Sequence, residues 1–320
     1  MKYFFLAYLL IPLRLLYPSN APSCDFTPTF LGTLLEFDNV NENPRDISLF
    51  ATLYAGGSYG IYDNKWGLTI DNSYGLISPE IFGYIGITKH IQAEFFIPIQ
   101  TIFFHHHSTT HLGDITAGLG FQFLWEQKNN ATPNLRLDLN AIFPTGKYDN
   151  LDPNFNVNDA NGNGAYGGVI TFVVDKSFYN IPCHPYNLSL NLSYTQYGKA
   201  SVKGITAYGG SLTTKGTARP GSTILLNLAT EYAFSKKYNF ALDVTYAHTF
   251  SSKFHGITGK NPDGSMGPMF LASEDILSLT PAIEFIVLPN LGFYLGSSFS
   301  VIGRNTPSYA TVNASISYTF

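Results

Sequence analysis

The C-terminal stretch Ser308-Tyr309-Ala310-Thr311-Val312-Asn313-Ala314-Ser315-Ile316-Ser317-Tyr318-Thr319-Phe320 alternates strictly. From Ala310 to Phe320 every second residue is apolar, and Thr311, Asn313, Ser315, Ser317 and Thr319 fill the gaps. Successive side chains of a strand point to opposite faces, so this stretch reads as one greasy and one wet wall. Segment 187–196 repeats the pattern, with Leu188, Leu190, Leu192 and Tyr194 against Ser189, Asn191, Ser193 and Thr195. Segment 134–142 does it with charge, setting Leu135, Leu137 and Leu139 against Arg136, Asp138 and Asn140. Segments 113–125, 225–234, 239–247 and 276–287 follow the same rule. Strands of a soluble sandwich average about 5–6 residues. Runs of about ten are what a tilted strand needs to cross a bilayer.

The connections sharpen the choice. Lys89-His90, Lys236-Lys237 and Pro289-Asn290 read as tight turns, and 127–133 and 177–185 as modest ones. Between them lie long polar stretches at 105–112, 145–164, 199–218 and 252–274. Short and long connections therefore alternate, as periplasmic turns and outer loops do in outer-membrane barrels. The expected fold is all-β: a single antiparallel transmembrane β-barrel over 64–320, of about twelve strands beginning near Trp66. Segment 47–60 could add strands, which makes fourteen the alternative. Asn305–Pro307 and the bend near Ser78-Pro79 interrupt the pattern.

Composition agrees. Charged residues make up 12% of the 320, about half the globular average. A barrel needs little surface charge because its belt faces lipid. Aromatics reach 15%, with 26 Phe and 21 Tyr, and Phe121, Phe123, Trp125, Phe240, Tyr246 and Phe299 fall on lipid-facing positions. Mean hydropathy is +0.04, and past the N-terminus no apolar run approaches the ~18 residues of a spanning helix. A net charge of −4 argues against a nucleic-acid partner, which calls for a basic patch.

At the N-terminus, Lys2, an apolar stretch from Tyr3 to Pro12, and the small residues before Cys24 have the order of a secretory signal peptide, 1–23, with cleavage after Ser23. Cys24 would then lead the mature chain. It could carry a lipid, although Ala21-Pro22-Ser23 departs from a lipobox. It could also pair with Cys183, the second of two cysteines, at a distance that spacing does not fix. Residues 24–63 are less periodic and read as a periplasmic extension, with a plug folded into the lumen as the alternative.

Gly113-Asp114-Ile115-Thr116-Ala117-Gly118-Leu119, the strand ending Phe143-Pro144-Thr145-Gly146-Lys147, and the following Asn161-Gly162-Asn163-Gly164 and Gly167-Gly168 together resemble the outer-membrane transporter family named for the meta-pathway of phenol degradation. Glu231-Tyr232-Ala233-Phe234 is similar as well. The resemblance covers roughly 65–320. It implies a barrel that passes small solutes, hydrophobic or aromatic ones among them. The same residues have a physical reading: Pro144 cannot donate to a sheet ladder and belongs at a strand end, and Gly146 lets the chain turn.

With apolar side chains facing lipid, the alternate residues line the lumen. The inward ionisable positions are Asp71, Glu94, Asp114, Arg136, Asp138, Glu231, Asp243 and Glu284, a strongly acidic set that predicts a channel favouring cations or neutral polar solutes. The bland alternative is that these charges pair and stiffen a filled interior. His105, His107 and His111 are candidate metal ligands by type and spacing, set against a solvated rim loop. Asp159-Ala160-Asn161-Gly162-Asn163-Gly164 matches the start of a calcium loop but has Ile170 where the closing Glu belongs. Ser251, Ser252 and His248 offer no nucleophile motif, so no enzyme is expected, and no cofactor. A terminal Phe320 with Tyr318 and Ile316 behind it resembles the signal read by barrel-assembly machinery. The expected partners are membrane lipid, that machinery and a small-molecule solute, in the outer membrane. A sealed structural or adhesive barrel acting through its outer loops is the competing function.

Overall fold

The computed structural model describes residues 29–34, 40–70, 73–127 and 131–320. Twelve long strands dominate it. They are β1 (Ile47–Tyr62), β2 (Tyr74–Thr88), β3 (Ile91–Phe104), β4 (Ile115–Leu124), β5 (Asn134–Phe143) and β6 (Gly167–Phe178), followed by β7 (Tyr186–Tyr197), β8 (Thr223–Ala233), β9 (Tyr238–Thr249), β10 (Glu274–Leu288), β11 (Leu291–Arg304) and β12 (Thr306–Thr319). Each pairs antiparallel with its neighbour in sequence, and β12 pairs with β1 from Ser48↔Thr319 to Tyr62↔Thr306, which closes the barrel. Closure matters because an unpaired backbone group in hydrocarbon costs several kcal/mol, roughly. Strand lengths of 10 to 16 residues suffice to cross the bilayer.

The two faces separate as the alternation demands. On β7 the outward Leu188, Leu190 and Leu192 are 41–48% exposed, while Ser189, Asn191 and Ser193 between them are 1–4% exposed. Leucines left open while serines and asparagines are enclosed are the inverse of a soluble core. They are what a lipid-facing wall requires.

Twelve strands match the expected number, but the barrel starts earlier than expected. It begins at Ile47, whereas Trp66 lies in the β1–β2 connection with φ 69°. β1 escaped the periodic reading because Phe50 and Tyr54 point inward, so both of its faces carry apolar side chains. The bend inferred at Ser78-Pro79 is instead the middle of β2. Pro79 keeps its place opposite Leu53 of β1, while the pairing of β2 to β3 skips from Ile77↔Thr101 to Glu80↔Pro98. A proline without a donor accounts for that gap.

The tight turns, both described chain ends and the Ile47 end of β1 lie at one rim. The long connections gather at the other. There the stretch 105–112 forms a ribbon rather than an open loop: His107–Leu112 pairs with the end of β3, from Phe104↔His107 to Ile99↔Leu112. Ala200–Lys203, Lys215–Arg219 and Lys253–Ile257 make a separate three-stranded sheet. It has its own small core of Ala165, Ala200, Val202, Tyr208 and Ala218. Burial there pushes the Tyr208 hydroxyl well above its ordinary pKa. At the turn rim, Cys183 between β6 and β7 is disulfide-bonded. Cys24, with the lipid or pairing expected of it, lies outside the described residues. Residues 1–28, which include the expected signal peptide, lie outside the described residues.

Candidate functional site: a two-sided lumen

One side of the lumen is filled by a polar network. Arg136 on β5 donates through Nε to Asp138 Oδ1 at 2.6 Å and through Nη2 to Glu94 Oε2 at 2.7 Å. Asn140 Nδ2 donates to Glu94 Oε1 at 2.9 Å. The arginine and both carboxylates are fully enclosed. Charge-assisted bonds from one planar fork to two acids are the strong kind, and alternation along one strand face delivers Arg136, Asp138 and Asn140 to the same spot. The network continues through Asn134 Nδ2 to Asp175 Oδ1 at 3.0 Å. Beyond it, Thr245 Oγ1 donates to Asn227 Oδ1 at 2.8 Å, and Asn227 Nδ2 donates to Asp243 Oδ2 at 2.9 Å.

Glycine makes room for the guanidinium. A Cβ on Gly120 would lie 2.8 Å from Asp138 Oδ1 and 2.9 Å from Arg136 Nε. Gly120→Val is therefore expected to destabilise the barrel by about 1–3 kcal/mol, the usual penalty of overpacking. Urea unfolding of the refolded protein would measure it. A shift within experimental scatter would show that the arginine can lie elsewhere.

The N-terminal segment occupies the middle of the lumen. Leu31 and Gly32 donate their backbone N–H groups to Glu231 Oε1 at 2.8 and 3.1 Å. Leu34 N–H donates to Asp243 Oδ2 at 3.0 Å. Asn239 Nδ2 donates to Thr29 O at 2.8 Å and also to Glu284 Oε2 at 2.8 Å. Further along, Asn41 N–H reaches Gln122 Oε1 and Glu42 N–H reaches Gln92 Oε1, at 3.2 and 2.8 Å. These residues lie inside the wall rather than extending away from it. A strand-free segment has backbone donors to satisfy, and the inward carboxylates and amides supply the acceptors.

The opposite side, along β1, β2, β11 and β12, is lined by aromatic rings and holds a series of cavities. Above this side, at the loop rim, a cavity of about 440 Å³ lies against β3, β4 and β7 and is bounded by Gln100, Asp114, Thr116, Asn161 and Tyr197. It meets, at Gln100, a chamber of about 270 Å³ walled by Tyr54, Tyr74, Leu76, Glu80 and Tyr309. Next toward the turn rim, where Thr52 and Phe82 succeed Tyr54 and Glu80 on their strand faces, the free space narrows to about 30 Å³ between Leu31–Leu34 and Phe50, Phe82, Tyr84 and Tyr294. A further cavity of about 110 Å³ opens at the turn rim beside Phe30, Ser48 and Thr319. The narrowest part is thus where the N-terminal segment faces the aromatic wall.

The ionisable residues read from the sequence fall into place unevenly. Glu94, Arg136, Asp138, Glu231, Asp243 and Glu284 point inward and are buried. Asp114 sits at the outer cavity, with Oδ1 accepting from Gly146 N–H and Oδ2 from Asn163 N–H, both at 2.9 Å, so it ties down the Gly/Asn-rich connection. Asp71 lies outside the described residues. The three histidines do not converge. His105 is at the ribbon tip with φ 52°, His107 packs on Phe155, and His111 Nε2 contacts Thr109 Oγ1 at 2.7 Å. Among the described residues no cluster of three metal-ligating side chains forms. The ribbon turns between Phe104 and His107, so His105 and His107 do not share the face an extended strand would give them. At the calcium-like stretch, Lys147 Nζ sits 2.8 Å from Asp159 Oδ2, where a cation would go. His248 Nδ1 contacts Asp275 Oδ1 at 2.7 Å, and Arg304 Nε donates to Asp275 Oδ2. Ser252 Oγ accepts from Gly221 N–H. Ile316, Tyr318 and Phe320 all face outward, 38–68% exposed.

Sequence reasoning missed Glu80, Asp175 and the inward aromatics. Asp175 was hidden because Val173 beside it on the inner face is apolar, which blurs the alternation of β6. Glu80 was hidden by Pro79. Nothing in the pattern distinguishes an inward tyrosine from one in a lipid girdle.

A closed antiparallel barrel with a greasy exterior and a polar, part-filled interior defines a β-barrel of the outer-membrane type. More particularly, residues 45–316 match the family described as "Putative MetA-pathway of phenol degradation", and the chain belongs to it. Among solved structures, the COG4313 outer membrane channel from Pseudomonas putida F1 is similar at a TM-score of 0.67 and 12% identity, covering 88% of this chain and 98% of that one. The translocator domain of the autotransporter NalP from Neisseria meningitidis gives a TM-score of 0.46 at 10% identity, over 88% of this chain and 91% of that one. No curated protein sequence matches.

Proposed function

We propose that the protein is a channel for small apolar or aromatic solutes, which travel along the aromatic side of the lumen, with residues 29–34 as its plug. The observation that carries this reading is the run of cavities from rim to rim, open at about 440 and 270 Å³ outside and pinched to about 30 Å³ at Leu31–Leu34. A ring-sized apolar guest fits the chamber, since cavities of about 150 Å³ already hold benzene. The pinch holds little more than one or two waters, at roughly 10–15 Å³ each. Membership of the family supports the same class of solute. The polar side contributes stiffness, because its charges are spent on one another and on the plug.

Liposome swelling with sugars, amino acids and one-ring neutral solutes tests this. Faster entry of the one-ring solutes than of sugars of equal mass is the expected result. Equal exclusion of every solute would favour a sealed barrel acting through its outer sheet.

A second reading concerns charge. Among the described inward-facing residues of the strands, the acids Glu80, Glu94, Asp138, Asp175, Glu231, Asp243 and Glu284 face Arg136 as their one cation. Fixed charge in a lumen tunes ion selectivity, so planar bilayers should show reversal potentials on the cation-selective side. A clear anion preference would remove the acidic-lumen reading.

A further inference from the structure

We propose that the chamber walled by Tyr54, Tyr74, Leu76, Glu80 and Tyr309 is a binding site for one-ring solutes that carry a hydrogen-bond donor, a hydroxyl or an ammonium, and that Glu80 selects them against aromatic acids. The proposal rests on the reading of the aromatic side as the solute route.

Glu80 stands apart from the other inward acids. Glu94 and Asp138 bind Arg136. Glu231 and Asp243 take backbone N–H groups of the plug. Glu284 takes Asn239, and Asp175 takes Asn134. Among the described residues, Glu80 is reached by the Ser78 hydroxyl alone, at 3.0 Å. That hydroxyl has one proton, and it also faces Ile99 O at 3.2 Å. Among the described residues no Lys, Arg or His pairs with Glu80. A carboxylate has about four acceptor positions, so most of the capacity of Glu80 is unmet by protein. Its side chain borders the chamber of about 270 Å³ on the aromatic side.

The surroundings fix what could meet that capacity. Three tyrosine rings and Leu76 give an apolar enclosure that holds a ring by area burial. A donor on the ring then reaches Glu80, and a cationic donor gains from the aromatic walls as well. An anionic ring would bring a second negative charge into the same chamber, with no cation to offset it. The same asymmetry lets a site built around a polar partner reject a guest that lacks it.

Isothermal titration calorimetry on the detergent-solubilised full chain tests the proposal with benzylammonium, phenol, toluene and benzoate. Benzylammonium and phenol should bind at least about tenfold more tightly than benzoate, since a hydrogen bond to a charged group is worth that much or more. Glu80→Gln should weaken benzylammonium by about tenfold while leaving toluene unchanged. Tyr309→Ala should weaken every ring, toluene included. Heat-modifiable gel mobility verifies that each variant is a folded barrel. Benzoate binding as tightly as benzylammonium, or an unchanged benzylammonium affinity in Glu80→Gln, would overturn the proposal. Swelling assays on the same preparations separate it from the channel reading. Flux without donor preference removes the site and leaves the channel, whereas donor-selective binding without flux removes the channel and leaves the site.

Discussion

Arg136→Ala is expected to destabilise the barrel by about 3–5 kcal/mol, the loss that follows when one partner of a buried ion pair is removed. The cause is local. Glu94 and Asp138 are both fully enclosed and both lean on the same guanidinium. Without it two like charges share a space that water does not reach. Arg136→Lys should recover only part of the loss, because an ammonium is a point charge and does not present the two-pronged geometry of the fork. Removing the acids as well, with Glu94→Gln and Asp138→Asn in the Arg136→Met background, should restore most of the stability, as neutral replacements of buried ionic clusters often do. Urea unfolding of protein refolded into vesicles gives the comparison. An Arg136→Ala barrel within about 1 kcal/mol of the parent, the range of an exposed pair, would mean that the cluster is solvated.

The second large effect is on passage. Glu231→Ala with Asp243→Ala removes the acceptors for the Leu31, Gly32 and Leu34 N–H groups. Hydrogen bonds to charged groups contribute about 1.5–3 kcal/mol each. Moving a two-state equilibrium from mostly closed to mostly open takes about 5.5 kcal/mol. Loss of three such bonds is of that size, so the plug should leave its seat for most of the time. Single-channel conductance and the swelling rate for small sugars should rise by about tenfold or more, as a population shift of that size implies. Deleting residues 29–34 should give the same increase by an independent route. Conductance that stays at the parental value in both variants, with the barrel folded, would show that the segment does not control passage.

Much of the barrel is legible in the sequence itself. Strands such as β7 and β12 announce themselves because each alternate residue is unambiguously greasy or polar, and a bilayer outside with water inside makes that pattern obligatory. Arg136, Asp138 and Glu94 could be placed on the inner face for the same reason. Their mutual contact could not, because Glu94 is on β3 and Arg136 on β5, and the distance across a lumen depends on closure. β1 and β2 were misjudged where inward tyrosine and phenylalanine replace serine and asparagine. A pattern rule that equates polar with inside fails where the inside is partly aromatic. The seating of Leu31–Leu34 depends on backbone donors, which every sequence has, so it left no residue-level trace.

The pairing of β1 with β12 joins the first and last strands of the described chain. Ser48 Oγ lies 2.6 Å from Thr319 Oγ1, and Thr52 Oγ1 lies 2.8 Å from Ser315 Oγ. Contacts between residues so distant in sequence are the slowest to form. Until that seam zips, the twelve-stranded sheet has two free margins, β1 and β12, and each is a template for pairing with a foreign chain. The wall therefore becomes continuous only when two segments about 250 residues apart in the chain meet, and until then neither margin is protected.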